Sequence, residues 1–349
     1  VNSGIAIDAT VVGPPRSGVH YAVAAGAIAL GSYGRAHVFT GDSDLIDACA
    51  RASIPTSPGP VAGNVLRRIA WQQLVFPHYL RDAGVLFAPA YTAPVRCPIP
   101  YVVHVHDTLA FRRPELCALR NAAHMRVLMP AAVRRAKTVL VSSTAEADAV
   151  HSRFGVPIPR IERIPLGVDP CFLDRPQARP RERPYILFVG NLEPKKGVGQ
   201  LLEAFQSLDT GDHELVIAGR YAWRSAPIRR ALQQAGPNVV HLGYVPRTEL
   251  PTLYAHAALT VMPSIDEGFG LPILEAMASG SPLLHAHHPV LCETSNGRAM
   301  TFCNNADLAS QIATALRATP PTAENQEWAR SQSWERWAQH ALPILQAAI

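Results

Sequence analysis

Short apolar runs alternate with longer helical stretches along most of this chain, and few folds accept that rhythm. Residues 5–7, 37–40, 85–88, 101–105 and 138–142 have the apolar, β-branched character of strands. Stretches between them, such as 61–75 and 119–135, have helical spacing, and prolines close or interrupt several. The pattern stops at 175–184, RPQARPRERP, which has three prolines and few apolar side chains and reads as a linker or exposed loop. It then resumes, with strands expected at 185–189, 214–218, 239–241 and 259–262 and a helix at 201–208. Such alternation predicts parallel sheets covered by helices on both faces. The expected molecule is therefore α/β, with two Rossmann-like lobes at 1–175 and 176–330 and a ligand site in the central cleft between them, outside the carboxyl ends of the strands. Residues 331–349 predict a terminal helix on which Trp334 and Trp337, one turn apart, share a face. Packing back on the first lobe and bridging the two lobes both fit that helix.

Length supports two domains, since 349 residues exceed a single typical core. The chain is 48% apolar and 17% charged, a folded and soluble composition. No run approaches the roughly 18 apolar residues of a membrane span. The Ala-rich stretch 21–30 is short and follows Asp8, so it does not read as a signal peptide. Six scattered cysteines without a CxxC pair predict free thiols in a reducing cytoplasm and no zinc site. The net charge of +5 favours anionic ligands and permits peripheral attachment at an acidic membrane face. Nucleic acid is not expected, because the basic residues are dispersed and not interleaved with aromatics.

Residues 263–282, PSIDEGFGLPILEAMASGSP, concentrate the chemistry. They set Glu267 and the glycines 268 and 270 ahead of a helical pattern in which Pro272 is tolerated in the first turn. Backbone amides of Gly268, Phe269, Gly270 and Leu271 suit a phosphate or sugar oxygen there. Glu275, on the helix, is a candidate partner for the vicinal hydroxyls of a ribose, or a plain charge favoured near a helix start. Glu267, on the loop, is a candidate grip on a donor sugar. Upstream, VGNLEPKKG at 189–197 turns at Gly190 and puts Lys195 and Lys196 before a helix. An ammonium facing a leaving phosphate offsets the charge that grows as a bond breaks; the plainer reading is a solvated lysine pair.

The first lobe offers VVHVHDT at 102–108, where strand alternation puts His104 and His106 on one face. His106 and Asp107 fall at the strand's carboxyl end, His106 as a group near a scissile bond and Asp107 as its orienting partner or an acceptor contact. A satisfied core histidine is the plainer reading of His106. A metal is not expected, for no third ligand stands out. The loop 12–19, VGPPRSGV, ends at a helix after Gly18; it is not a strict GxGxxG, and Arg16 is its candidate phosphate contact. Arg112, Arg113 and Glu115 either read an anionic acceptor such as a lipid diphosphate or form a charged surface loop.

Taken together these segments resemble the retaining, nucleotide-sugar-dependent glycosyltransferases of the two-lobed GT-B class, family four. The matching pieces are VGNLEPKKG at 189–197, LVIAG at 215–219, HLGYVPRTELPTLYAHA at 241–257 and PSIDEGFGLPILEAMASGSP at 263–282. VHDTLAFRRPE at 105–115 and the opening IAIDATVVGPPRSGVHY resemble the first lobe of that family's bacterial mannosyltransferase-like branch, and SWERWAQ at 333–339 looks like its terminal helix. The resemblance implies transfer of a hexose with retention and without a required metal. GDP-mannose is the favoured donor, with UDP- or dTDP-sugars as alternatives, and a lipid-linked saccharide the acceptor. It implies that Lys196 binds the donor diphosphate, Glu267 the donor sugar and Glu275 the ribose. Residues 268–271 would supply amides, His106 would sit at the reaction centre, and the helix after Gly18 would approach the diphosphate. Two departures stand out. Family members often have arginine where this chain has Asn191, a loss that Lys195 or Arg16 would have to make good. The segment 283–290, LLHAHHPV, carries three histidines where the family has small residues. A nucleotide-sugar epimerase of the same architecture, which needs no acceptor, and a non-catalytic nucleotide-sugar-binding protein are the rival readings.

Overall fold

The computed structural model describes residues 4–34, 36–61, 63–174, 180–209, 211–318 and 322–349, with the backbone alone at 119–121. Residues 175–179 of the expected linker lie outside the described residues. The chain forms two compact units, Val1–Gly167 with Trp334–Ile349 and Val168–Ser333. The division falls at 167/168, ahead of the 175/176 boundary expected from the proline-rich stretch.

The first unit is built on seven strands: β1 (Ile5–Asp8), β2 (Ala36–Thr40), β3 (Thr56–Pro58), β4 (Val85–Ala88), β5 (Tyr101–Val105), β6 (Thr138–Val141) and β7 (Ile161–Arg163). They run in the order β3-β2-β1-β4-β5-β6-β7, with parallel pairing throughout. The second unit has β8 (Tyr185–Val189), β9 (Glu214–Ala218), β10 (Val239–Gly243), β11 (Leu259–Met262), β12 (Leu283–Ala286) and β13 (Met300–Phe302), in the order β10-β9-β8-β11-β12-β13. Both are doubly wound Rossmann-like sheets. Their strand order reverses at β1/β4 and at β8/β11, the points where such sheets open a crevice at their carboxyl ends.

The central strands β1, β4, β5, β8, β9 and β11 are buried almost throughout, and their continuous apolar runs made them readable. The edge strands β3 and β7 are three residues each and partly exposed, so they carry no such run. The helix expected at 61–75 starts later, at Val65, where Asn64 caps it by accepting from the Arg67 amide at 3.0 Å. It continues through a wider turn at Trp71–Val75 into Phe76–Tyr79. Helix Leu119–Arg135 has the expected bounds.

The terminal helix, Trp334–Ala347, packs against helix Gly18–Gly31 in the first unit. Trp337 is 2% exposed and lies 5.9 Å from the Phe87 ring. A β-carbon added at Gly26 would stand 3.3 Å from the Trp337 ring, so the two helices meet where one lacks a side chain. Helix Thr322–Ser331 instead packs on Leu271–Ala278 within the second unit.

Candidate active site

In the second unit three loops converge at the carboxyl ends of β9, β8 and β11. The loop after β8 turns at Gly197, whose backbone is left-handed at φ 70°. A β-carbon there would fall 2.0 Å from the Pro263 carbonyl oxygen, so only glycine lets this loop lie against the loop after β11. The Ile265 amide donates to the Lys195 carbonyl at 2.7 Å and locks the two together. Through that contact Lys196 Nζ reaches Glu267 Oε1 at 2.5 Å, although the two are 71 residues apart. Burial alone would raise the Glu267 carboxyl, but Lys196, and Lys195 after it, outweigh burial and hold it below its ordinary value. Lys195 lies 3.8 Å from Glu193.

Gly270, at φ 91°, leads into helix Leu271–Ala278, whose start is fixed from outside: Thr294 Oγ1 donates to the Phe269 carbonyl at 2.5 Å. Phe269 and Leu271 bury their side chains and leave the backbone as the segment's chemical face. Glu275 is also buried, and both its oxygens are engaged. Arg247 donates to Oε1 at 2.8 Å, and the Tyr254 hydroxyl donates to Oε2 at 3.1 Å. Arg247 is held in turn by Asp169 at 3.0 Å and lies 4.8 Å over the Phe172 ring. Burial would pull the Arg247 guanidinium down, but Glu275 and Asp169 more than offset it. Each carboxylate oxygen has two acceptor sites, so Glu275 can still accept from a hydroxyl in this setting. Of the three histidines, His285 is buried on β12 and its ring is within 2.8 Å of the Ala286 carbonyl and 3.0 Å of Ser295 Oγ, an internal role.

In the first unit the carboxyl ends of β5 and β6 hold the other constellation. His104 and His106 share a face as expected, with ring centroids 4.2 Å apart. His106 Nε2 lies 2.8 Å from the Pro89 carbonyl, which can only accept, so Nε2 carries the proton and Nδ1 the lone pair. Burial lowers the His106 pKa to about 4, against smaller upward pulls from Pro89 and Asp107. The ring is thus neutral near pH 7: a fixed dipole and not a proton store. Asp107 accepts from the Tyr91 hydroxyl at 3.0 Å and from the Leu109 amide at 3.0 Å. Tyr91 itself has φ 66° and packs its ring edge-on at 5.4 Å from His106. A non-glycine residue in that region costs about 1 kcal/mol or more and is found where surrounding contacts impose it.

Arg112 reaches the fully buried Glu146 at 2.6 Å, so its charge is already met inside the unit. Burial lifts the Glu146 carboxyl to about 7, with Arg112 restraining the rise. Arg16 turns to Asp42 at 2.5 Å and Asp44 at 3.1 Å. Gly18 opens helix Gly18–Gly31, as expected.

Several partners escaped sequence reasoning: Tyr91, Glu146, Arg247 and Tyr254. Each comes from another element, Glu146 and Tyr254 from helices Thr144–Phe154 and Leu250–His256 and Tyr91 and Arg247 from loops, and no local sequence pattern marks them. Among the described residues no three His, Cys, Asp or Glu side chains gather as a metal would require, and no helix is long and apolar enough to cross a membrane.

Residues 17–167 match the family model described as glycosyl transferase 4-like domain, and residues 172–331 match glycosyl transferases group 1. Each unit thus matches a glycosyltransferase family model. Among curated relatives, O-antigen chain mannosyltransferase B of Escherichia coli is 29% identical over 232 residues, covering 62% of this chain and 59% of that protein. O-antigen chain mannosyltransferase RfbU of Salmonella typhimurium is 29% identical over 199 residues, covering 57% and 55%. The chain thus spans under two thirds of the length of these relatives. Among solved structures, HepE of Anabaena in complex with UDP and glucose aligns with TM-score 0.80 at 20% identity, over 99% of this chain and 100% of that one. That likeness is one of fold.

Proposed function

We propose that this chain is a retaining glycosyltransferase that moves a hexose from a nucleotide sugar to a saccharide or lipid-linked saccharide. The observation that carries the proposal is the Lys196–Glu267 pair at 2.5 Å, set beside the amide-bearing start of helix Leu271–Ala278. A cation and helix amides suit a diphosphate, and the adjoining carboxylate suits sugar hydroxyls. In this reading the second unit holds the donor. Lys196 displaces from Glu267 onto the leaving phosphate, the amides of 268–271 share its charge, Glu267 grips the sugar, and Glu275 accepts from the ribose. Positioned cations aimed at the oxygen where charge develops lower the barrier without reorganisation.

The first unit takes the acceptor. His106, neutral and oriented by Pro89, presents its Nδ1 lone pair to a hydroxyl, with Asp107 and Tyr91 fixing its surroundings. The departing phosphate takes the acceptor's proton as the new bond forms on the face that the leaving group quits, which gives retention. Mannose is the first choice of sugar, supported by the two mannosyltransferase relatives, and GDP-mannose is the donor that the family resemblance favours. UDP- and dTDP-sugars are the alternatives. The work is assigned to the cytoplasmic side, with peripheral contact at the membrane surface.

The test is a calorimetric screen of GDP, UDP and dTDP, followed by transfer assays from the matching nucleotide mannose or glucose to lipid-linked acceptors. Tight binding of one diphosphate and acceptor-dependent release of it are expected. Conversion of the nucleotide sugar without any acceptor would instead indicate an epimerase, and binding without turnover a non-catalytic protein.

A further inference from the structure

The strand-order reversal of the first sheet, between β1 and β4, carries a charge that the reading above does not use. Asp8 ends β1 and is buried. Its Oδ1 accepts from the Thr10 hydroxyl at 2.6 Å and the Thr10 amide at 3.2 Å, and its Oδ2 from the Gln72 side-chain amide at 2.7 Å. Gln72 Oε1 accepts in turn from Thr92 Oγ1 at 3.1 Å, on the loop after β4. Arg68 precedes Gln72 by about one helical turn, so the two lie on the face that meets Asp8. Neutral donors thus engage the Asp8 oxygens, and Asp8 attracts Arg68 without a hydrogen bond or ion pair. Among the described residues the half-buried Arg68 guanidinium has no such partner, and neither has that of the exposed Arg67 beside it. Burial pulls the Arg68 guanidinium below its ordinary value, and Asp8 pulls it back. Cations removed from water ordinarily meet acceptors, and here the protein supplies none.

We propose that Arg68, with Arg67 beside it, binds the phosphate of a lipid-linked acceptor. The inference rests on the reading that the first unit takes the acceptor, and it names the group held there. Charge decides for an anion. Residues 59–80 contain Arg67 and Arg68 and no acidic residue, and Asp8 is the carboxylate that acts on Arg68, so two guanidiniums against one carboxylate leave a net +1. A guanidinium also meets two phosphate oxygens at once, with donors in one plane. The lipid follows from the same segment, in which Leu66 and Leu74, on either side of Arg68, are largely exposed. Apolar side chains around a cation that can take phosphate suit an amphiphile better than a free anion.

The experiment titrates farnesyl phosphate below its micellar range, with farnesol and inorganic phosphate as controls, into wild type, Arg68→Ala, Arg68→Lys and Lys196→Ala. GDP and UDP are titrated alongside. Arg68→Ala should weaken farnesyl phosphate by about tenfold or more and leave farnesol, GDP and UDP within about twofold. Arg68→Lys, which keeps the charge and not the fork, should fall between. Lys196→Ala should bind farnesyl phosphate as wild type does. A wild-type chain that does not bind farnesyl phosphate would overturn the proposal, as would unchanged affinity in Arg68→Ala, an equal loss of farnesol, or a loss that follows Lys196 instead. Inorganic phosphate bound as tightly as the ester would assign Arg68 to a free anion and overturn the lipid. A wild-type chain that binds farnesyl phosphate through Arg68 but neither nucleotide would sink the glycosyltransferase reading, a different result from the Arg68 variant binding normally.

Discussion

Glu146 is the residue whose burial and charge are most at odds. It is fully buried, and its pKa rises from 4.5 to about 7 because burial outweighs the attraction of Arg112. The folded state therefore holds its proton more tightly than the unfolded chain. The stabilising contribution is complete below about pH 4.5 and is lost as pH rises through about 7. Glu146→Gln cannot titrate, so wild type should lose on the order of 1–3 kcal/mol relative to this variant between pH 5 and pH 8. Urea midpoints of both proteins at the two pH values measure it, and parallel behaviour would refute the assignment. His106 has the opposite sign, since it charges only on unfolding below its ordinary value. Glu267 and Glu275 stand out in the sequence because they flank a glycine-bearing turn before a helix, and Lys196 because it comes near the end of the separate VGNLEPKKG loop. Their partners do not. Arg247 meets Glu275 from 28 residues away and Arg220 meets Asn191 from 29, and no local pattern encodes a contact made by folding.

Among elements, the terminal helix shows how much a single face can carry. Trp334 and Trp337 bury against helix Gly18–Gly31, and Trp337 also reaches β4. Trp337→Ala should destabilise the first unit by about 3–5 kcal/mol, the range for deleting a large aromatic from a core. Thermal or denaturant unfolding followed by hydrogen exchange should place the loss in helix Gly18–Gly31 and β4. A loss confined to the second unit would contradict the packing. The i, i+3 spacing of these tryptophans announced a buried helix face, while nothing in the sequence chose its partner; Gly26 does, by leaving room. Buried strands were legible from their apolar runs. The edge strands β3 and β7 and the two short strands β12 and β13 were not, because a three- or four-residue strand with polar neighbours looks like loop.

For the whole molecule, charge and exposed apolar surface point the same way. Residues 48–106 contain five arginines and a single acidic residue, Asp82. Within them Val65, Leu66, Leu74, Val75 and Tyr79 are exposed, Leu66 and Leu74 by 78% and 71%. Apolar side chains beside cations suit an anionic lipid surface. In flotation assays the chain should associate with vesicles containing phosphatidylglycerol and not with pure phosphatidylcholine, and Leu66→Glu with Leu74→Glu should abolish it. Equal binding to both vesicles, or an unaffected variant, would rule this surface out. The net charge alone permits such contact anywhere on the surface; the exposed side chains name the place where the assay tests for it.

The central claim is that Lys196 meets the negative charge of a leaving diphosphate. It is tested most directly by the turnover of Lys196→Ala at saturating nucleotide sugar. A fall of about a hundredfold or more is expected, the scale for removing one donor aimed at developing charge. Turnover equal to wild type under saturation would contradict the account.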